Sequence, residues 1–124
     1  MAEKNNPEAI FINDDVGQLT KINGKFNLAI YSHVIEMLSS PEGSLIKARK
    51  IADKIIIRFF EPPVFEYDTV ELKEMEVSRN IRVPYLRRKM SNDYYRMILQ
   101  KIGCKKVDIY KDKYSKDQIH VLNY

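Results

Sequence analysis

Between Ile81 and Tyr124 the hydrophobic pattern changes period, and this change restricts the fold more than any other feature of the chain. The segment D-Y-Y-R-M-I-L-Q-K-I spaces Tyr95, Leu99 and Ile102 by four and three, which is one face of a helix. Ser91 or Asn92 precedes it as a capping side chain, Asp93 opposes the helix dipole, and Gly103 ends it. Beyond Gly103 the period drops to two. Val107 with Ile109, and Ile119 with Val121, mark two strands around the charged tip K-D-K-Y-S-K-D. The spacing predicts a helix over 92–102 and a hairpin over 106–124, its tip near 112–116.

Upstream, Val83 to Met90 reads as a short helix, with Leu86 and Met90 inward and Pro84 tolerated in the first turn. Phe26, Ala29, Ile30, Val34, Met37 and Leu38 form a stripe that predicts a helix over 26–38. Ser39-Ser40-Pro41-Glu42-Gly43 breaks it, and Ser44 is a cap for a helix over 45–60. In that helix Leu45, Ala48, Ala52, Ile55 and Phe59 share a face, until Glu61-Pro62-Pro63 stops it. Val70 to Val77 reads as a strand with a bulge, or as a short helix. Residues 1–25 form an N-terminal extension. Its first eight residues are polar and expected to fray, short strands are expected at 9–12 and 18–22, and Asn23-Gly24 suits a tight turn. Residues 26–124 are then one domain.

The charge is divided unevenly. Residues 1–78 hold 9 Lys/Arg against 13 Asp/Glu, whereas residues 79–124 hold 12 against 4. A basic back half points to a polyanionic partner. Catalytic motifs are absent: there is no phosphate loop, dinucleotide fingerprint or G-x-S-x-G, and Asp14-Asp15 sits in a turn without a His or Cys nearby. The chain is expected not to be an enzyme. Cys104 can form no internal disulfide, and His33 and His120 are too far apart in sequence for a clustered zinc site. His33 is assigned to a surface or half-buried position on the 26–38 helix. His120, out of phase with Ile119 and Val121, is assigned to solvent. No cofactor and no metal are expected. The start M-A-E-K-N-N-P-E lacks the basic and apolar stretches of a secretory signal, so the expected location is the cytoplasm or nucleoid, or the nucleus of a eukaryote.

The order of helix 83–90, polar turn, helix 92–102 and hairpin 106–124 resembles the winged helix-turn-helix DNA-binding domains. With 45–60 as first helix, the resemblance extends over most of the chain, although the turn at Met90-Ser91 is short for the family and 61–80 is a long excursion. It implies an α+β winged helix-turn-helix with an N-terminal strand/helix extension. It also implies a small transcriptional regulator that binds duplex DNA. On the second helix Asn92, Tyr94, Arg96 and Gln100 would face the groove, where Arg can read guanine and Asn or Gln adenine. Arg87, Arg88 and the wing residues Lys111, Lys113, Tyr114 and Lys116 would contact phosphate and sugar. The helices at 26–60 would offer a homodimer surface. Two rivals share the same segments: a protein-binding winged-helix subunit of a nucleic-acid-processing assembly, and an RNA-binding protein that stacks bases on Tyr94, Tyr110 and Tyr114. A shorter stretch, G-K-F-N-L-A-I-Y-S-H-V-I-E-M-L, is similar to part of the Alba nucleic-acid-binding family, whose strand and glycine turn between its two helices have no room here.

Overall fold

The structure, a computed structural model, describes residues 8–124. The fraying expected for the first eight residues lies almost entirely outside them. The described part is rich in strand. In chain order it runs β1 (Phe26–Ser32), a 3-10 turn (Ile35–Met37), α1 (Pro41–Ile51), β2 (Ala52–Phe59), β3 (Thr69–Ser78), β4 (Ile81–Lys89), α2 (Asn92–Lys101), β5 (Lys106–Lys111) and β6 (Gln118–Asn123). The main sheet has the order β1-β2-β6-β5. β1 and β2 are parallel and joined through α1, while β6 is antiparallel to both β2 and β5. A separate antiparallel hairpin, β3–β4, projects from the chain between β2 and α2.

This architecture overturns the winged helix-turn-helix. Three of its proposed helices are wholly or partly strand. At 26–38, the apolar run is β1, paired residue for residue with β2 from Phe26↔Ala52 to Ser32↔Arg58. A short apolar run fits either period, and the parallel partner decided for strand. At 45–60, the helix starts earlier and ends earlier. Ser40 is the cap, its Oγ accepting from the Gly43 amide at 3.2 Å, and Pro41 opens the helix where its missing N–H costs nothing. After Ile51 the chain passes directly into strand, because the β-branched run Ile55-Ile56-Ile57 favours extended backbone. At 83–90, the segment is β4. Pro84 stands opposite Glu74 in a two-stranded hairpin, where each strand has a free side on which a missing N–H is tolerated.

Other elements lie where the spacing places them. β3 carries a register shift between Glu76 and Ser78. Ser91 caps α2 by accepting from the Tyr94 amide at 3.1 Å, and Gly103 follows it at φ +72. Tyr95 and Ile102 are buried, Leu99 is half-buried and Arg96 is exposed. The hairpin of β5 and β6 is an arm of the main sheet, however, and α2 packs on that sheet. The short strands expected at 9–12 and 18–22 are not formed.

The core lies on one side of the sheet. Ile55, Ile57 and Phe59 of β2, Tyr31 of β1 and Leu122 of β6 pack with Leu45 and Ala48 of α1 and with Tyr95 and Ile98 of α2. His120 belongs to this layer and is 2% exposed, contrary to its assignment to solvent. It is in phase with Ile57, its partner on β2, and its ring lies 4.7 Å from that of Phe59. Its Nδ1 is 2.9 Å from the Tyr95 hydroxyl and its Nε2 is 3.0 Å from Gln118 Oε1.

Burial lowers the His120 imidazole from 6.5 to about 4. Above pH 6.5 neither the folded nor the unfolded chain protonates it. Between 6.5 and about 4 the unfolded chain takes up a proton that the folded chain refuses. Stability therefore falls as pH falls through that window, by up to about 3 kcal/mol from this residue. Denaturant midpoints measured across the window should fall less steeply for His120→Gln than for the parent chain. Parallel slopes would show that His120 does not carry the effect.

Candidate functional site

In an open α/β sheet, ligands bind outside the carboxyl ends of the parallel strands, where the following loops diverge. Here those ends are Ser32 of β1 and Phe59 of β2. A cleft of about 490 Å³ lies beside them. His33, Glu36, Met37 and Phe60 line it from the strand ends, and Met75, Tyr85 and Arg87 from the hairpin. Met75 and Tyr85 stand opposite Val83 and Lys73, and Arg87 opposite Glu71, so all three share one face of the hairpin.

His33 takes the first position after β1 in a left-handed conformation, φ +54, which is uncommon for a residue with a side chain and clusters at functional sites. Its amide donates to the Arg58 carbonyl at 3.1 Å, which fixes the turn. Its Nε2 lies 2.6 Å from Asp117 Oδ2. Arg58 Nε donates to the same oxygen at 2.7 Å, and an Arg58 terminal nitrogen donates to Asp112 at 2.9 Å. Asp117 is buried, and the Arg58 guanidinium, with His33, holds its carboxyl below the usual range. When Nε2 carries the imidazole proton toward this carboxylate, Nδ1 is left with its lone pair. The ring also meets Phe60 edge-on at 5.9 Å.

Glu36 is 3% exposed. One oxygen accepts from the amides of Phe60 and Glu61, at 2.5 and 3.1 Å, and so ties the 3-10 turn to the exit of β2. Its other oxygen is buried without a partner among the described residues. Arg87 is in a similar state. One terminal nitrogen donates to Glu61 at 2.8 Å and the guanidinium lies over the Phe60 ring at 4.2 Å, but Nε is buried and has no partner among the described residues. Buried polar atoms are seldom left so, and two of them belong to residues lining one cleft.

Of the residues that the sequence assigned to DNA, Arg87 and Arg88 are turned inward toward carboxylates. Arg87 belongs to the cleft. Arg88 is buried, paired with Asp68 and donating to the Ser39 carbonyl at 3.1 Å. Asn92, Arg96 and Gln100 are exposed on α2, with Tyr94 half-buried under the Arg88 guanidinium. Lys111, Lys113, Tyr114 and Lys116 are exposed around the turn between β5 and β6. The basic excess is partly spent inside the fold, on Glu61 and Asp68, and Lys101 pairs with Glu42 at the surface. The sequence reading missed His33, Asp117, Glu36, Phe60, Met75 and Tyr85. One local signal was present: a polar Ser32-His33 pair closing an apolar run ahead of a capped helix.

No family model matches the sequence, and no curated protein matches it significantly. Solved structures do match the fold. DesVI of Streptomyces venezuelae superposes with a TM-score of 0.67 at 11% identity, over 98% of this chain and 68% of that one. An S-adenosylmethionine-dependent methyltransferase from Clostridium acetobutylicum matches at 0.60 and 11%, over 90% and 63%. The magnesium protoporphyrin IX methyltransferase ChlM of Synechocystis, solved with bound SAH, matches at 0.54 and 14%, over 92% and 51%. The fold is therefore the Rossmann-like one of S-adenosylmethionine-dependent methyltransferases. This overturns the winged-helix resemblance and with it the DNA-binding regulator, and replaces a non-enzyme expectation with an enzyme fold. The chain spans from about half to two thirds of the lengths of these matches.

The described residues include no glycine-bearing turn between a parallel strand and its helix. A nucleoside in a doubly wound sheet needs a close-approaching, glycine-bearing turn between a parallel strand and its helix. Among the described residues the turn from a parallel strand into a helix is the one after β1; it begins Ser32-His33-Val34, and none of Gly17, Gly24, Gly43 and Gly103 lies between β1 and α1.

Proposed function

We propose that this chain is the acceptor-binding portion of a methyltransferase. It holds a small methyl-accepting molecule in the cleft between the carboxyl ends of β1 and β2 and the β3–β4 hairpin. The observation that carries this reading is the His33–Asp117 pair, 2.6 Å apart, at the end of a parallel strand and beside that cleft. Phe60, Met37 and Met75 supply apolar contact. Arg87 Nε and the free oxygen of Glu36 supply a donor and an acceptor for the polar groups of the bound molecule. His33, oriented by Asp117, takes a proton from the accepting hydroxyl or amine through Nδ1, as a general base held in one tautomer. The methyl donor is not bound by these residues.

Nuclear magnetic resonance titration of the chain with a panel of small amines, phenols and carboxylates tests the reading. Members of the panel should shift the signals of His33, Phe60 and Tyr85 together, and His33→Ala should weaken their binding. S-adenosylhomocysteine added alone should leave the spectrum unchanged. A panel without effect on these three residues would remove the acceptor site. Tight binding of S-adenosylhomocysteine to the chain alone would overturn the division of roles.

A further inference from the structure

The charges around the cleft do not cancel. Glu36 is buried, and among the described residues no cation pairs with it. The cations nearby are already matched. Arg87 is bound to Glu61, and Lys73, on the same face of the hairpin, is paired with Glu71. Behind His33 the single guanidinium of Arg58 is shared by two carboxylates, Asp112 and Asp117. Five carboxylates thus stand against three cations, and the excess falls at Glu36 and in the Arg58 cluster. The remaining lining is apolar or aromatic: Met37, Phe60, Met75 and Tyr85. A buried carboxylate beside such a lining is costly until a positive charge joins it.

Granted that the cleft is the acceptor site, on which this rests, we infer that it takes its acceptor as an ammonium ion: a small primary or secondary amine on an apolar or aromatic body. The wall itself selects this class. A metal ion needs several hard or nitrogen ligands, and no group of three His, Cys, Asp or Glu that could hold one occurs among the described residues. An organic ammonium needs only an opposing carboxylate and a soft surface for its carbon skeleton. The Phe60 ring, 46% exposed, and Tyr85 supply aromatic surface that attracts cations, and the thioethers of Met37 and Met75 adapt to shape. A carboxylate or phenolate would meet the negative excess, and a neutral alcohol would leave Glu36 unmatched. Arg87 Nε, a donor without a partner among the described residues, remains for an oxygen elsewhere on the same molecule. Once the amine is seated, one N–H bond breaks. The proton passes to His33 Nδ1, the electron pair stays on nitrogen as the nucleophile, and Asp117 faces the resulting imidazolium.

Three ligands of similar shape and different charge provide the test: benzylamine, benzyl alcohol and benzoate. Each is titrated into the full chain at neutral pH and followed by nuclear magnetic resonance at His33, Phe60 and Tyr85. Benzylamine, protonated under these conditions, should bind roughly 10- to 100-fold more tightly than benzyl alcohol, the scale of one contact to a charged group. Benzoate should bind more weakly than either. Glu36→Gln keeps an oxygen to accept from the Phe60 and Glu61 amides and removes only the charge. It should lower benzylamine to the affinity of the alcohol and leave the alcohol unchanged. Should that variant fail to fold, the order of the three ligands on the parent chain decides alone. Alcohol or benzoate binding as tightly as benzylamine, or a preference for benzylamine that survives Glu36→Gln, overturns the ammonium and leaves the acceptor cleft standing. Silence at His33, Phe60 and Tyr85 with all three ligands overturns the cleft as well.

Discussion

Phe59→Ala should destabilise the chain by roughly 3–5 kcal/mol, close to the largest effect a single truncation can have here. Phe59 is fully buried at the end of β2, with the rings of Tyr95 at 5.4 Å and His120 at 4.7 Å, both edge-on. The sheet holds one side of the vacated space and α2 the other, so neither can close in freely. The loss combines transfer of a large apolar side chain with the cavity left behind. Its neighbour Phe60 provides the contrast. That ring is 46% exposed and lines the cleft, so Phe60→Ala should cost under about 1 kcal/mol of stability while weakening any molecule bound there. Urea denaturation of the two variants separates the cases. Equal losses would mean that β2 does not end where the core and the cleft divide.

Arg88→Ala should cost about 2–3 kcal/mol, the scale for removing one partner from a largely buried charge pair. Arg88 is 8% exposed, and its guanidinium joins three segments: Asp68 ahead of β3, the Ser39 carbonyl ahead of α1, and the Tyr94 ring on α2. Without it, the Asp68 carboxylate and the Ser39 carbonyl each lose a donor. A triple change of Lys111, Lys113 and Lys116 to Ala, at exposed positions, should stay within about 0.5 kcal/mol per site. Melts of these variants measure whether the basic back half serves the fold or a surface. If Arg88→Ala is as mild as the lysine changes, the junction at Arg88 is not structural.

The elements legible in the sequence are those marked by local chemistry at both ends. Ser91 and Gly103 bound α2, and the alternation of Val107, Ile109, Ile119 and Val121 marks β5 and β6. The elements that were misread owe their conformation to distant partners. Nothing within 26–38 distinguishes a strand from a helix, since the choice is made by pairing with 52–58. In 45–60, the helical stripe of Leu45 and Ala48 runs in step with the strand positions Ala52, Ile55 and Phe59, and no breaker separates them. The site was less legible than the fold. His33 and Asp117 are 84 residues apart, and only the placement of β1 beside β2, and of β2 beside β6, brings them into contact. The charge imbalance was real, but composition does not reveal that Arg87 and Arg88 turn inward toward carboxylates.

The passage from α1 to β2 occurs without a loop, Ile51 being the last helical residue and Ala52 the first in the strand. A connection of zero length has no slack. One residue added there would rotate the helix by about 100° relative to the strand and carry Leu45 and Ala48 off the sheet. One residue added within β2 would instead turn Ile55, Ile57 and Phe59 to its other side. The junction thus acts as a rigid coupling. It locks the phase of a 3.6-residue period to that of a two-residue period, and the orientation of α1 is set by the same backbone that delivers Phe59 and Phe60 to opposite sides of the strand end.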